Sequence, residues 1–178
     1  MTFEDRREAL IAEINEAFDG VSRGYGITLH EAIAIDDYAS QEERMAARRR
    51  DREARWQDVT DQDILECPSA LSFLDPEGFR YYVPTFMILG LKRLQLPRFD
   101  PRDDQEGILH SSSYHLLYFY PKSLRESEPA LFIEKYHFST PQCRAIANFL
   151  RLLVDSDEYG ADEATIKAVE RWERFANV

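Results

Sequence analysis

Apolar residues recur three or four positions apart near both ends of the chain, a spacing that places side chains on one face of an α-helix. The pattern predicts a first amphipathic helix that begins near Phe3 and is closed by Gly20. A second helix is predicted to begin at Thr28, because Thr28 and Glu31 have the spacing of a capping box. A third, rich in arginine, is predicted across residues 41–56.

Two more helices are predicted in the last quarter of the chain. Ser139 and Gln142 have capping-box spacing and precede a strict helical stripe of apolar residues. A final helix is predicted from about Ala161. Residues 131–138 are predicted to be extended, and Thr60 is predicted to cap a short helical turn between the arginine-rich segment and the centre of the chain.

The central stretch, residues 73–87, combines dense aromatic side chains with a turn signal. Residues 75–78, Asp-Pro-Glu-Gly, place a preferred residue at each corner of a type I turn. The flanking runs favour strands, so we predict an antiparallel β-hairpin over about residues 71–83. Pro84 has no N–H to donate and is expected to end the second strand and begin a helix. The predicted fold is α+β and mainly α-helical, with amphipathic helices packed on this hairpin.

Composition narrows the class of protein. A length of 178 residues with 44% hydrophobic residues favours a single globular domain over residues 1–178. The net charge of −11 opposes binding to nucleic acid or to an anionic membrane surface and favours a basic protein as partner. Two cysteines without metal-ligand spacing and the lack of an apolar leader or spanning segment predict a cytoplasmic protein.

The sequence offers no catalytic or metal-binding motif. The four histidines lack the spacing that brings two imidazoles to one metal, so we predict no metal site and no cofactor. An acidic loop at residues 96–107 lacks the ligand pattern of an EF-hand and is interpreted as exposed. The apolar run at residues 108–120 fits a buried helix or a buried strand, and its serines favour the helix.

Five polar residues are candidates for a binding site: Asp36, Arg48, Asp75, Arg80 and Tyr82. Asp36 falls on the apolar stripe of the second predicted helix, where a carboxylate needs an arginine or another donor nearby. Arg80 lies among aromatic residues; it could pair with Asp75, stack on Tyr82 or bind a ligand. Arg48 belongs to an arginine cluster that fits either an anion-binding site or a solvent-exposed helix face. The acidic net charge of the chain favours the exposed face.

The central motif FLDPEGFRYYVPTFM, with Arg48, Asp51 and Trp56 before it and the pattern of residues 138–150 after it, resembles an uncharacterised bacterial family, a domain of unknown function. The resemblance covers most of the chain and extends to the pattern at residues 168–172. It implies a small bacterial cytosolic protein. It implies no activity, substrate, cofactor or catalytic residue.

Two functions fit these observations. The first is a protein-binding, immunity-like module that uses its acidic surface against a basic partner, which the charge and the lack of a catalytic signature favour. The alternative is an enzyme or small-ligand-binding protein whose aromatic-lined pocket holds Asp36 and Arg80. The second function requires these two side chains to converge on one cavity.

Overall fold

The computed structural model describes residues 2–94, 116, 134–156 and 163–177, and every regular element within them is helical. The α-helices of this part of the chain are α1 (Phe3–Ala17), α2 (Leu29–Asp36), α3 (Gln41–Arg48), α4 (Asp61–Glu66), α5 (Pro76–Arg93), α6 (Thr140–Val154) and α7 (Glu163–Phe175). Short 3-10 turns lie at Trp56–Asp58 and Ala70–Ser72.

The helix starts predicted at Thr28, Thr60 and Ser139 are confirmed, because each depends on residues only three positions apart. Ser139 caps α6, and the Gln142 side chain bonds back to its N–H. Thr60 and Asp63 form the same reciprocal box at α4. Such boxes satisfy backbone N–H groups that a helix otherwise leaves free at its first turn.

The predicted β-hairpin is wrong, because residues 76–93 form one continuous helix and the described residues contain no strand. Asp75 is the N-cap of this helix and Pro76 its first residue. The misreading has a physical cause: a type I turn and the first turn of a helix share the same backbone conformation, and both favour Asp followed by Pro. Short aromatic runs then suggested strands. Over the described residues the fold is therefore all-α rather than α+β.

Helix α5 also runs through Pro84, which was expected to begin a helix and instead lies inside one. Proline removes one backbone hydrogen bond and usually destabilises a helix interior. Here the helix is buried on nearly every side, with Phe79, Tyr82, Phe86 and Leu91 all inaccessible to solvent. Tertiary packing therefore outweighs the local cost of Pro84. Burial on nearly every side also explains why α5 shows no helical stripe in the sequence.

The remaining helices surround α5. Helix α1 contacts α5 and α6, and α6 packs along α7. Helix α2 packs on α3 and on the Ala70–Ser72 turn, while α4 and the Trp56–Asp58 turn contact α5. The buried side chains of these elements form one hydrophobic cluster. In the described residues no helix is both long and apolar enough to span a membrane.

Two further boundaries differ from the prediction. The arginine-rich helix ends at Arg48 instead of continuing to Trp56, because the chain turns so that Asp51 and Glu53 reach partners in other elements. Residues 134–136 are helical rather than extended. The predictions for residues 96–107 and 108–120 lie outside the described residues, apart from Leu116, which is helical and buried.

Candidate functional site

A tight turn of five residues, Arg23–Ile27, lies against the first turn of α5, and we call it the Tyr25 turn. The N–H of Gly26 donates to the carbonyl of Arg23 at 2.9 Å. Gly24 has φ +56°, a left-handed conformation that glycine adopts without strain. At the tip, the Tyr25 side chain is 96% exposed. The turn therefore presents an aromatic ring to solvent.

Arg48 fixes the backbone of this turn from α3. One of its terminal nitrogens donates to the carbonyl of Gly26 at 2.9 Å, and the other donates to the carbonyl of Tyr25 at 3.2 Å. The same guanidinium forms an ion pair of 2.7 Å with Glu31, a residue of α2 that is nearly buried. The predicted site residue Arg48 thus ties α2, α3 and the Tyr25 turn together.

Asp75 fixes the other end of the turn. Its Oδ1 atom accepts a hydrogen bond from the N–H of Gly78, and this bond caps α5. The same atom accepts a second hydrogen bond from the N–H of Ile27, and both bonds measure 2.9 Å. The backbones approach so closely here that side chains do not fit: a Cβ on Gly78 would lie 2.4 Å from the Ile27 carbonyl oxygen, and one on Gly26 would lie 2.6 Å from the Gly78 nitrogen. Both positions require glycine.

Arg23 anchors the start of the turn to a half-buried polar triad. Its guanidinium lies 2.6 Å from Glu53 Oε1 and 2.7 Å from the Tyr82 hydroxyl, which donates to the same Glu53 oxygen at 2.5 Å. Burial, together with the bond to Glu53, raises the pKa of Tyr82 far above its ordinary range. The guanidinium also lies 5.5 Å from the centre of the Tyr81 ring, within cation–π range.

Three of the five predicted site residues therefore converge on the Tyr25 turn. Arg48, Asp75 and Tyr82 each hold the Tyr25 turn, the first two directly and Tyr82 through Arg23. The closely spaced glycines at 24 and 26 are a sequence signal for this turn, but no signal in the sequence points to its partners. Those partners lie too far along the chain for spacing rules to connect them.

Asp36 and Arg80 have separate partners. Asp36 accepts a hydrogen bond of 3.1 Å from the Ser69 hydroxyl, and Arg80 donates to the carbonyl of His137 at 2.8 Å. In the described part of the chain no hydrogen bond or ion pair joins Asp36 to Arg80. Nor does Arg80 share a face with Tyr82, because residues two apart lie roughly 200° apart around a helix axis.

A buried His–Asp pair lies nearby and was not predicted from the sequence. Both oxygens of Asp51 accept from His30: one from its backbone N–H at 2.9 Å, the other from ring atom Nδ1 at 2.5 Å. Asp51 thus caps α2 from outside that helix and sets the orientation of the imidazole. Neighbouring Cys67 is no nucleophile at neutral pH, because burial raises the pKa of its thiol to about 12. The described residues contain no cluster of three metal-ligating side chains.

A cleft of about 220 Å³ opens beside this pair and is lined by Asp51, Arg52, Glu53, Asp58, Asp63 and Tyr82. Ligand pockets commonly measure roughly 300–1,000 Å³. The polar groups of the cleft are also in use already: Asp51 binds His30, Glu53 binds Arg23, and Asp58 binds Arg55 at 2.7 Å. The cleft therefore offers little to a small molecule.

Over its described residues the protein is all-helical, and polar side chains hold an exposed, tyrosine-tipped turn. By sequence, the chain belongs to the family of unknown function DUF6714, whose model matches residues 6–175. The prediction of a family without a known activity is confirmed. No curated protein and no solved structure matches the chain.

Proposed function

We propose that this protein is a protein-binding module, that the Tyr25 turn is its recognition element, and that its partner is a basic protein. The proposal rests on one contrast within the turn: its backbone is fixed by other elements, whereas the side chain at its tip is free in solvent. Its backbone is held by Arg48 from α3, by Asp75 from α5 and, through Arg23, by Glu53 and Tyr82. The side chain at its tip is almost fully exposed.

An aromatic residue on a rigid turn is well suited to binding a protein. Tyrosine is enriched among the residues that dominate binding energy, because it buries a large surface and loses little side-chain entropy. A backbone that is already fixed has less conformational entropy to lose when a partner binds. The contacts that hold the turn thus reduce the cost of binding.

The charge of the chain supports a basic partner. Thirty-three acidic residues against 22 basic ones give a net charge of −11, and such a field accelerates association with a positively charged protein. Several arginines of α3 and the segment after it are also neutralised internally: Arg48 pairs with Glu31, Arg50 with Glu66 and Arg55 with Asp58. We further propose that binding takes place in the bacterial cytoplasm, in line with the two unpaired cysteines.

Site-specific photo-crosslinking in lysate of the source cells tests the proposal. A photoreactive amino acid replaces Tyr25 in one variant and Tyr38 in another; Tyr38 is a matched control because it is also a tyrosine and is 97% exposed. We expect the probe at position 25 to capture one basic protein that the probe at 38 does not. Its yield should fall in high salt.

A binding measurement with the captured protein completes the test. Replacing Tyr25 with Ser should weaken binding by at least about tenfold, as expected for an aromatic anchor. Replacing Tyr38 with Ser should change it less than about twofold. Equal capture at both positions, or a Tyr25→Ser variant that binds like the original protein, would refute the proposal.

A further inference from the structure

We infer that the partner presents an arginine or lysine side chain to the Tyr25 turn, with its cation against the ring of Tyr25 and paired with the carboxylate of Glu77. This inference rests on the proposed function and names the chemistry that the turn recognises. It depends on where Glu77 lies relative to the two glycines that flank Tyr25.

The side chain of Glu77 runs along the turn. A Cβ on Gly26 would lie 2.9 Å from the Cβ of Glu77, and a Cβ on Gly24 would lie 3.5 Å from its Oε2 atom. The side chain therefore begins beside Gly26 and ends with its carboxylate beside Gly24. Both glycines are neighbours of Tyr25 in sequence, so the carboxylate lies within one residue of the exposed aromatic residue.

The carboxylate of Glu77 is available to a partner. Glu77 is exposed, and within the described residues its carboxylate makes no hydrogen bond or ion pair. Gly24 and Gly26 have no side chains that could cover it. The other glutamates around the turn are engaged, since Glu31 binds Arg48 and Glu53 binds Arg23. Glu77 is thus the free carboxylate of the surface around Tyr25, as far as the described residues show.

An aromatic ring beside a carboxylate is suited to a cationic side chain. The ring face attracts a guanidinium or ammonium group, arginine more often than lysine, and the carboxylate forms charge-assisted hydrogen bonds with it. Three guanidinium groups lie around the turn: Arg44 and Arg48 share Glu31, at 3.4 and 2.7 Å, and Arg23 pairs with Glu53. Asp75 and Glu77 add two carboxylates that have no ion pair within the described residues, so four carboxylates oppose three guanidinium groups. The net field at Tyr25 therefore favours a cation.

Titration of the isotope-labelled protein with a hexa-arginine peptide, blocked at both ends, tests the inference by NMR. We expect the largest shift changes at Gly24, Tyr25, Gly26 and Glu77. Tyr25→Ser and Glu77→Gln should each weaken binding about two- to fivefold, the range for a cation–π or ion-pair contact at an exposed site. Asp37→Asn is the matched control because Asp37 is also exposed, and its change removes the same charge.

Two results would overturn the inference: shift changes scattered over all acidic surfaces, or equal weakening by Glu77→Gln and Asp37→Asn. Either would show that the peptide responds to net charge alone. The outcome is separable from that of the proposed function. If a captured partner needs Tyr25 but binds the Glu77→Gln variant as tightly as the original protein, the function stands and the cation assignment fails.

Discussion

Helix α5 is held by two sets of contacts, which we call its polar side and its aromatic side. On the polar side, glycines, a capping aspartate and a polar triad lock the Tyr25 turn against the first two turns of the helix. On the aromatic side, Phe79 contributes to a cluster of aromatic rings with Phe138, Tyr136 and Trp172, whose neighbouring ring centres lie 5.7–6.4 Å apart. The aromatic side buries surface, whereas the polar side sets the geometry of an exposed loop.

The two sets of contacts have different roles: one stabilises the fold, and the other also fixes the conformation of the exposed Tyr25 turn. Aromatic burial is non-directional and stabilises the fold in proportion to the apolar area removed from water. Hydrogen bonds contribute less net free energy but have strict geometry. We therefore expect damage to the aromatic side to lower global stability, and damage to the polar side to alter the Tyr25 turn as well.

The largest effect is predicted for Phe138→Ala. Phe138 is buried and packs edge-on against Phe18, Phe79 and Trp172. Its truncation should lower the free energy of unfolding by about 4 kcal/mol through lost burial and the cavity that remains. Urea unfolding measures this, with Tyr25→Ala as the control that should change stability by less than about 0.5 kcal/mol. A loss below about 1 kcal/mol would show that the cluster is not central to the core.

Gly78→Ala is predicted to cost about 3 kcal/mol, because the added methyl group would meet the backbone oxygen of Ile27 rather than a flexible side chain. Gly20→Ala is a suitable control: a Cβ there has open space, so only its φ of +68° opposes the change, at about 1 kcal/mol. The two variants are compared by urea unfolding. Gly78→Ala should also shift the NMR signals of residues 24–27, and equal costs without such shifts would contradict the close approach.

Features that depend on neighbouring residues were predictable from the sequence. The caps at Thr60 and Ser139 and the apolar stripe of α6 follow from spacings of three or four residues. Helix α5 was not predictable in this way. It is apolar on nearly every face, so it has no clear helical period, and its cap has the same residue types as a turn.

The candidate site was predictable in part. Arg48, Asp75 and Tyr82 are among the five polar candidates predicted from the sequence, but their shared target was not predicted. Arg23 is 30 residues from Glu53 and 59 from Tyr82 along the chain. Contacts at that separation depend on the complete fold, which spacing rules do not specify. A ligand-binding role for Asp36 and Arg80 stays a prediction, with each residue in a different set of contacts.

The smallest of these effects on stability is predicted for Tyr82→Phe, which removes only the hydroxyl of the triad. Glu53 loses a buried donor but keeps Arg23, so the cost at pH 7 should be about 1–2 kcal/mol. Tyr81→Phe is the control, since the described contacts include no hydrogen bond to the Tyr81 hydroxyl. Urea unfolding at pH 7 compares the variants, and equal costs would argue against the triad.

The pH dependence of the free energy of unfolding gives a second test of the Tyr82 hydroxyl. An unfolded tyrosine has a pKa of about 10. In the folded protein, burial and then the Glu53 charge raise the pKa of Tyr81 to about 12. Burial and then the hydrogen bond to Glu53 raise the pKa of Tyr82 further. Above about pH 10 the folded state therefore holds more protons than the unfolded state, and its stability falls as pH rises. Tyr82→Phe should make this fall less steep than in the original protein. An unchanged slope would mean that water reaches the Tyr82 hydroxyl in the folded protein. The polar side of α5 would then be less well packed than the aromatic side.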